Sequence, residues 1–272
     1  MELRRRATKK TDRQQRILQE LRANTAIRIS ELAKELGVSG ETIRRDLAEL
    51  GEAGAVNRTY GGAVARPFGA EPTWNERHNQ MREERQVIAK LAVGLASPGD
   101  VLMLESGSTI LHFAQQLAAS AKDLTVVTPS PYVAVALAHN PSITVILCPG
   151  TLNAREGTVL GPETVGFLEQ FNANLAFVGS SGITVDGLNE TLTGMAIVKR
   201  AILARARRRV ALLDHITMSP MSPRGHSKFN QPSLAVAGAL SDLNTLVTDQ
   251  APDGELASAL NRAGVRVILP GS

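Results

Sequence analysis

In the first fifth of the chain, hydrophobic residues recur at the spacing of helices. Ile17, Leu18 and Leu21 form one apolar stripe, and Leu32 with Leu36 forms a second. Two short helices joined by a tight turn that contains glycine are typical of a helix-turn-helix. The elements predicted from this pattern are a helix over 12–22, an extended segment over 27–29, a helix that Ser30 caps and Gly37 ends, and a helix over 40–50 that Ser39 caps.

The helix over 40–50 has one apolar face and one charged face. Ile43, Leu47 and Leu50 lie within about 60° of one another, so this face is predicted to pack inward. The opposite face is short and basic and fits a DNA major groove, with a solvated helix surface as the alternative. The residues predicted to contact DNA are Ser39, Glu41, Thr42, Arg44 and Arg45, with Arg58 on a small β wing that Gly61 and Gly62 close.

Beyond residue 78, short runs of Val, Leu and Ile alternate with helical stretches. This alternation predicts an α/β fold in which helices cover both faces of a largely parallel sheet. The predicted strands span 101–104, 124–128, 143–147, 175–178, 210–213, 246–248 and 265–269, and the predicted helices span 83–96, 110–119, 133–139, 163–170, 195–208 and 254–263. The arginines at 205 and 207–209 are expected at the end of the 195–208 helix, as a solvated end or as a second basic patch.

A linker is predicted over 64–78, which contains two prolines, one glycine and no periodicity. The chain would then comprise a winged helix-turn-helix domain over 1–63, this linker, and a larger domain over 79–272. Phe68 and Trp74 stand out in the linker because only 3% of the chain is aromatic. One interpretation is that these two aromatic residues dock the linker on a domain or on a second subunit. The alternative is that the linker is exposed.

Charge is divided unevenly along the chain, whose formal net charge is +4. The first 60 residues carry 13 Lys and Arg against 9 Asp and Glu, whereas the remaining 212 carry 17 of each. This excess predicts a nucleic acid or another anionic partner for the first domain, with a solubilising tail as the alternative. One cysteine excludes a disulfide framework and a thiolate metal cluster. With no apolar run of about 18 residues and no secretory pattern, a cytoplasmic protein without a membrane partner is expected.

Glycines and small polar residues follow several of the predicted strands. In parallel sheets, ligands bind beyond the C-terminal strand ends, and free N–H groups at a helix start suit a phosphate. We therefore expect an anion or a sugar at these ends, with plain turn chemistry as the alternative. The residues selected by this argument are Glu105, Ser106, Gly107, Ser108, Thr109, Thr128, Ser130 and Gly150, beside a glycine- and serine-rich stretch over 179–182.

The segment over 13–63 resembles the N-terminal domain of the DeoR family of bacterial transcriptional regulators. The resemblance rests on the blocks ELA, VSGETIRRDL and GGA at the family's spacing. Tyr60 departs from the pattern, because the family usually has His before the glycine pair. The resemblance implies a domain that binds double-stranded operator DNA.

The remaining chain resembles the family's C-terminal sensor, which is similar in fold to ribose-5-phosphate isomerase and glucosamine-6-phosphate deaminase. The family's Asp-Ser-Gly-Thr-Thr, Thr-Asn-Ser and Gly-Gly blocks correspond to 105–109, 128–130 and 149–150. Its Asp-x-Ser-Lys-Phe motif is split by an 11-residue insertion over 216–226. The resemblance implies an effector site that includes Asp214 and Lys228, with Lys228 as the cationic contact if the insertion loops out.

The resemblance implies a repressor of a carbohydrate or polyol catabolic operon, which a phosphorylated sugar or related metabolite releases from DNA. It also implies a homo-oligomer, either a dimer or a tetramer. The sequence does not distinguish a repressor from an activator.

The alternative is a sugar-phosphate isomerase or deaminase with a DNA-binding appendage. Such enzymes place a carboxylate general base beside the substrate. Here glycine and serines follow the strand at 175–178, while Asp186 and Glu190 are expected to solvate loops. The histidines show no metal-ligand spacing, so no catalytic residue, metal or cofactor is predicted.

Overall fold

The computed structural model describes residues 10–24, 26–52, 56–59, 61–65, 74, 81–219 and 222–271. Contacts between Cα atoms divide the chain into two compact units. The first comprises Met1–Pro72 with Met218–His226, and the second comprises Thr73–Thr217 with Ser227–Ser272. The domain and linker boundaries drawn from the sequence stay predictions, and Phe68 and Tyr60 lie outside the described residues.

The first unit packs helices on a small antiparallel sheet. Ile17, Leu32 and Leu47 belong to one buried cluster, so the predicted apolar stripes meet in a shared core. In chain order, the elements are α1 (Lys10–Ala23), β1 (Ala26–Arg28), α2 (Ile29–Leu36), α3 (Gly40–Glu52), β2 (Val56–Thr59) and β3 (Gly62–Ala65). The strands pair in the order β1-β3-β2. The predicted winged helix-turn-helix is confirmed.

The ends of α2 test two of the predicted caps. Gly37 ends the helix in the left-handed region at φ 63°, as predicted. The predicted cap at Ser30 is wrong, because β1 runs directly into α2 and Arg28 occupies the N-cap without a side-chain bond. Gly62 is required where β3 meets β1, since a Cβ there would lie 2.1 Å from the Ile27 carbonyl oxygen.

The second unit contains a seven-stranded sheet with the order β17-β16-β12-β9-β4-β5-β6. Every recorded pairing within this sheet is parallel. Beyond residue 81, the strands are β4 (Val101–Leu104), β5 (Leu124–Thr128), β6 (Ile143–Leu147), β7 (Thr151–Asn153), β8 (Thr158–Leu160), β9 (Ala173–Val178), β10 (Gly182–Thr184), β11 (Gly187–Glu190), β12 (Ala206–Leu213), β13 (Ile216–Ser219), β14 (Ser222–Ser227), β15 (Ala235–Gly238), β16 (Thr245–Thr248) and β17 (Arg266–Ile268). Most of β14 and the end of β13 fall in the 218–226 segment that belongs to the first unit.

Helices cover both faces of this sheet, as the continuous apolar strands predict. Leu102 and Leu104 of β4 pack into one buried cluster, and Met103 between them packs into the other. Helices α4 to α6 contribute to the first cluster and α7 to α9 to the second. The helices are α4 (Arg82–Val93), α5 (Ser108–Ser120), α6 (Pro131–Leu137), α7 (Pro162–Leu168), α8 (Thr193–Ala204) and α9 (Gly254–Arg262). The predicted fold class is confirmed.

The structure corrects the predicted helix over 195–208. Helix α8 ends at Ala204, and the chain enters β12 at Ala206, which pairs with Ala173 of β9. Strand pairing over this length overrides the helical spacing of the sequence. Arg207 and Arg208 are therefore exposed on a strand, not at the end of a helix. The small sheets β7-β8, β10-β11-β15 and β13-β14 escape the sequence analysis because most of their strands lack the runs of Val, Leu and Ile that mark the main sheet.

Candidate functional site

The turn between α2 and α3 positions the start of the predicted recognition helix. The Ser39 hydroxyl oxygen accepts a hydrogen bond from the Thr42 backbone N–H at 3.1 Å. The hydroxyls of Ser39 and Thr42 also lie 2.9 Å apart. This confirms the predicted cap and fixes both side chains at the N-terminal end of α3, where backbone N–H groups and the helix dipole favour a phosphate.

The exposed face of α3 carries the charged residues that the sequence predicts for DNA contact. Glu41, Arg44 and Arg45 are all exposed. An Arg44 guanidinium nitrogen lies 2.9 Å from a Glu41 carboxylate oxygen, so Arg44 is paired within its own helix. Arg58 lies on β2 opposite Ala63 of β3, and its side chain is outside the described part of the structure.

A buried ion pair that the sequence analysis missed joins α1 to α3. Arg13 donates through Nε and Nη2 to the Asp46 carboxylate, with 3.0 Å between Nη2 and Oδ1. Asp46 is only 2% exposed. Asp46 is the acidic residue of the TIRRDL block, so its described contacts hold the recognition helix on α1.

Replacing Asp46 with alanine is expected to destabilise the first unit by about 3 kcal/mol, because it removes the carboxylate that pairs with the largely buried Arg13 guanidinium group. Urea unfolding followed by circular dichroism measures the change. Glu49→Gln is the matched control, since it weakens an exposed pair between the same helices. Equal stability of both variants would contradict a structural role for the Arg13–Asp46 pair.

In the second unit, the predicted effector residues lie at the C-terminal ends of adjacent strands. The 105–109 loop follows β4, Thr128 ends β5, and Asp214 follows β12. Gly107 adopts φ 119° just before α5, a conformation that favours glycine. Helix α5 begins at Ser108, so the unsatisfied N–H groups of its first turn point out of these strand ends.

Asp214 is the point where several of these elements meet. Its carboxylate accepts hydrogen bonds from Lys228 at 2.8 Å, from Thr109 at 3.1 Å and from Arg85 at 3.2 Å. Burial alone would raise the pKa of Asp214, but Lys228 and Arg85 hold it well below the usual range. Two cations thus contact one fully buried carboxylate at the strand ends.

The insertion does not separate the two halves of the split motif. The Lys228 backbone N–H donates to the His215 carbonyl oxygen at 2.8 Å, so the chain returns to Asp214 after the β13-β14 pair. The Lys228 ammonium group therefore reaches Asp214 across the base of the insertion.

Arg85 was missed by the sequence analysis, although a signal was present. It lies at helical spacing with Ile88, Ala89 and Ala92, and all four are buried. A charged residue on the buried stripe of an amphipathic helix requires a partner, because an unpaired buried charge is costly. Asp214, which directly follows β12 and lies 129 positions further along the chain, supplies a partner.

Glu105, the first residue of the predicted effector loop, is 2% exposed and belongs to a second buried charge cluster. Its carboxylate accepts the Gly179 backbone N–H at 2.8 Å and lies 3.2 Å from the Lys199 ammonium nitrogen. Lys199 also binds Glu190 and the Gly179 carbonyl oxygen. The expectation that Glu190 solvates a loop is wrong, because β11 carries it into the interior, where it is 3% exposed. The signal for Lys199 was its position among the buried residues of α8.

Burial, opposed by Lys199 and reinforced by the charge of Glu190, raises the pKa of Glu105 from 4.5 to about 7. A carboxyl whose pKa rises on folding stabilises the fold below its unfolded pKa and loses that contribution as the pH rises through its folded pKa. The Glu105 contribution therefore decreases between about pH 4.5 and pH 7.

We expect Glu105→Gln to flatten the dependence of the unfolding free energy on pH across this interval. Urea titrations at a series of pH values measure it. Glu163→Gln, which changes an exposed glutamate of α7, provides the control. Parallel profiles for wild type and Glu105→Gln would show that Glu105 does not titrate in this range.

Three further predicted effector residues, Thr128, Ser130 and Gly150, already have structural roles. Thr128 accepts the Ser130 backbone N–H at 3.1 Å, and Ser130 caps α6 by accepting the Val133 N–H. At Gly150, φ is 144° and a Cβ would lie 2.1 Å from the Thr164 hydroxyl oxygen, so close packing requires glycine there. Turn chemistry therefore accounts for part of the predicted set. The described residues contain no group of three His, Cys, Asp or Glu side chains placed to hold a metal ion.

Two family models match the chain. The DeoR-like helix-turn-helix domain matches residues 13–66, and the DeoR C-terminal sensor domain matches residues 80–250. The chain belongs to the DeoR family. It is therefore a DNA-binding transcriptional regulator and not an enzyme.

Relatives of this DeoR-family chain carry names of regulators and repressors. It is 35% identical over 213 residues to the HTH-type transcriptional regulator GolR of Listeria innocua, covering 78% of this chain and 84% of that protein. It is 30% identical over 245 residues to the glycerol-3-phosphate regulon repressor of Escherichia coli, covering 90% and 92%. Among solved structures, ribose 5-phosphate isomerase A from Neisseria gonorrhoeae gives a TM-score of 0.36 at 16% identity over 53% of this chain and 54% of that one. None of the helices in the described residues is long and apolar enough to span a membrane.

Proposed function

We propose that this DeoR-family regulator represses a carbohydrate or polyol catabolic operon and that a phosphorylated sugar releases it from operator DNA. The observation that carries this proposal is the placement of the Lys228 ammonium group beside Asp214 at the strand ends. A phosphate group placed there would accept a charge-assisted hydrogen bond from Lys228. It would also lie near the start of α5, where backbone N–H groups favour an anion.

The relatives support a phosphorylated metabolite as the effector class. One of them is named as the repressor of a glycerol-3-phosphate regulon. We propose the same chemical class here, with the 105–109 loop and the residues around Thr128 and Ser130 contacting the polyol part. Such an effector acts only through a difference in its affinity for the DNA-bound and released states.

A thermal-shift screen of sugar and polyol phosphates tests the effector class. A ligand at 100 times its dissociation constant should stabilise the protein by about 2.7 kcal/mol. Each positive phosphate ester is compared with its unphosphorylated counterpart. Stabilisation by the unphosphorylated sugar to the same extent would contradict the proposed phosphate contact.

For DNA binding, we propose that a homo-oligomer, a dimer or a tetramer, places paired recognition helices on repeated half-sites. Ser39 and Thr42 would bind phosphates at the start of α3, while Glu41, Arg44 and Arg45 would face the bases and Arg58 of the wing would contact the backbone. Arg44 must exchange its bond with Glu41 for a DNA contact, whereas Arg45 is the stronger candidate for base reading.

Replacing Arg45 with alanine should weaken operator binding by about 1–3 kcal/mol if its side chain reads a base. A mobility shift on a duplex that the wild type selects from a random pool measures the loss. Arg262→Ala removes one exposed positive charge from the second unit and serves as the control. Unchanged affinity of Arg45→Ala would remove Arg45 from the DNA interface.

A further inference from the structure

Trp74 is the single tryptophan of the chain and lies in the segment that the sequence assigns to the linker. It is 7% exposed, and its ring stacks on Tyr132 with 3.9 Å between centroids and 7° between planes. Its backbone N–H donates to the Arg155 carbonyl oxygen at 2.9 Å. Trp74 is thus docked within the second unit. The sequence analysis left open whether Trp74 docks on a domain or on a second subunit. In this structure it docks on a domain of its own chain.

The docking seat for Trp74 consists of Tyr132 from the first turn of α6 and the turn between β7 and β8. Gly157 in that turn has φ 65°, and a Cβ there would lie 2.7 Å from the Tyr132 ring and 3.3 Å from the Trp74 ring. Any larger residue at 157 would disturb the stack. Glycine at this position is therefore part of the seat.

Ser130, a predicted effector residue, is hydrogen-bonded to this seat. Its hydroxyl donates to the Gly157 carbonyl oxygen at 3.1 Å. The neighbouring Pro129 carbonyl oxygen accepts the Val159 N–H at 2.8 Å, so the loop and the turn are joined at two points. Tyr132 follows Ser130 by two positions. A shift of the 128–130 loop therefore reaches both walls of the seat.

The Ser130 hydroxyl has one proton to donate. Gly157 takes that proton in this structure. An effector oxygen that accepts it instead must break the bond to the turn, and the turn then loses one of its links to α6. Trp74 is two positions beyond Pro72, where the first unit ends. Docking at Trp74 therefore takes place close in sequence to the DNA-binding unit.

We propose that Trp74 is a positioning residue that couples the effector site to DNA binding. It is docked on Tyr132 while Ser130 donates to Gly157, and it is released when an effector takes the Ser130 hydroxyl proton. This inference rests on the proposed function and adds its route of regulation. Release of Trp74 then weakens operator binding.

The first test needs no effector, because the single tryptophan reports directly on its own docking. Acrylamide quenching of Trp74 emission is compared among full-length wild type, Ser130→Ala and Val135→Ala. Val135 lies on α6 and is 63% exposed, so its variant is the matched control. Ser130→Ala should raise the quenching constant, and Val135→Ala should leave it at the wild-type value. Equal quenching in all three proteins would overturn the coupling between the loop and Trp74.

The second test measures DNA affinity without any added ligand, on the duplex selected by the wild type. Trp74→Ala and Tyr132→Ala should each weaken binding at least about fivefold, the lower range of known couplings between sites. Trp74→Phe keeps an aromatic ring on Tyr132 and should retain most of the wild-type affinity. Wild-type affinity in both alanine variants would overturn the inference, and thermal melting confirms that each variant is folded.

The inference and the proposed function fail in different ways. If the wild type binds a sugar phosphate and then leaves the duplex, but Trp74 quenching is the same with and without that compound, the function stands and the inference falls. If no sugar phosphate binds while Ser130→Ala still frees Trp74 and weakens DNA binding, the coupling stands and the effector class is wrong.

Discussion

Replacing Lys228 with alanine is expected to weaken binding of the phosphorylated effector by about 2–5 kcal/mol, which is more than about 30-fold in the dissociation constant. Lys228 supplies one of the two cations at Asp214, and the phosphate would lose a charge-assisted hydrogen bond. Asp214 keeps Arg85 and Thr109 as partners in the variant, so the fold should persist. Calorimetric titration with the compound found in the thermal-shift screen measures the loss.

Lys90→Ala is the matched control for this prediction. It removes an exposed lysine from α4, the same helix that carries Arg85. It should bind the effector as the wild type does. A Lys228→Ala protein that folds normally and keeps wild-type affinity would mean that the split motif is not the phosphate site.

Replacing Lys199 with methionine is expected to destabilise the protein by about 3–5 kcal/mol, the largest effect on stability that we predict. The side chain is fully buried between Glu105 and Glu190. Without the ammonium group, two carboxylates remain close together in the interior with no cation between them. Urea unfolding of the full chain at neutral pH measures the change.

Two further variants separate charge from packing at Lys199. Arg200→Met changes the next residue of α8, whose side chain is exposed, and should cost far less. Adding Glu105→Gln and Glu190→Gln to Lys199→Met should recover part of the lost stability, because the unpaired carboxylates are then neutral. A Lys199→Met protein as stable as the wild type would show that the cluster contributes nothing to folding.

The sequence predicts most of the architecture because the fold follows local patterns. The helical stripe at Ile17, Leu18 and Leu21 and the apolar run at 101–104 are each visible within a few residues, and the structure contains both elements. Prediction was wrong where tertiary pairing decides, as at 206–208, where β9 recruits the chain into a strand. The cap at Ser30 is wrong for the same reason, since β1 leads directly into α2.

At the candidate site, the sequence selects the loops at the strand ends but not the charges beneath them. Asp214 and Lys228 were chosen through the resemblance to the family, and the structure brings them within 2.8 Å. Arg85, Lys199 and Glu190 were not chosen, because each takes part in a pair that only the folded chain creates. Arg85 and Asp214, for example, are 129 positions apart in the sequence. A buried cation on a helical stripe is the signal that would have found Arg85 and Lys199.

Release of operator DNA by a phosphorylated sugar is the claim on which the proposal depends. Fluorescence anisotropy of a labelled operator duplex, titrated with a phosphate ester and separately with its unphosphorylated sugar, measures it for wild type and Lys228→Ala. We predict that only the ester releases the wild-type protein and that the Lys228→Ala protein stays bound. Release by the unphosphorylated sugar alone, or equal release of both proteins by the ester, would contradict the account.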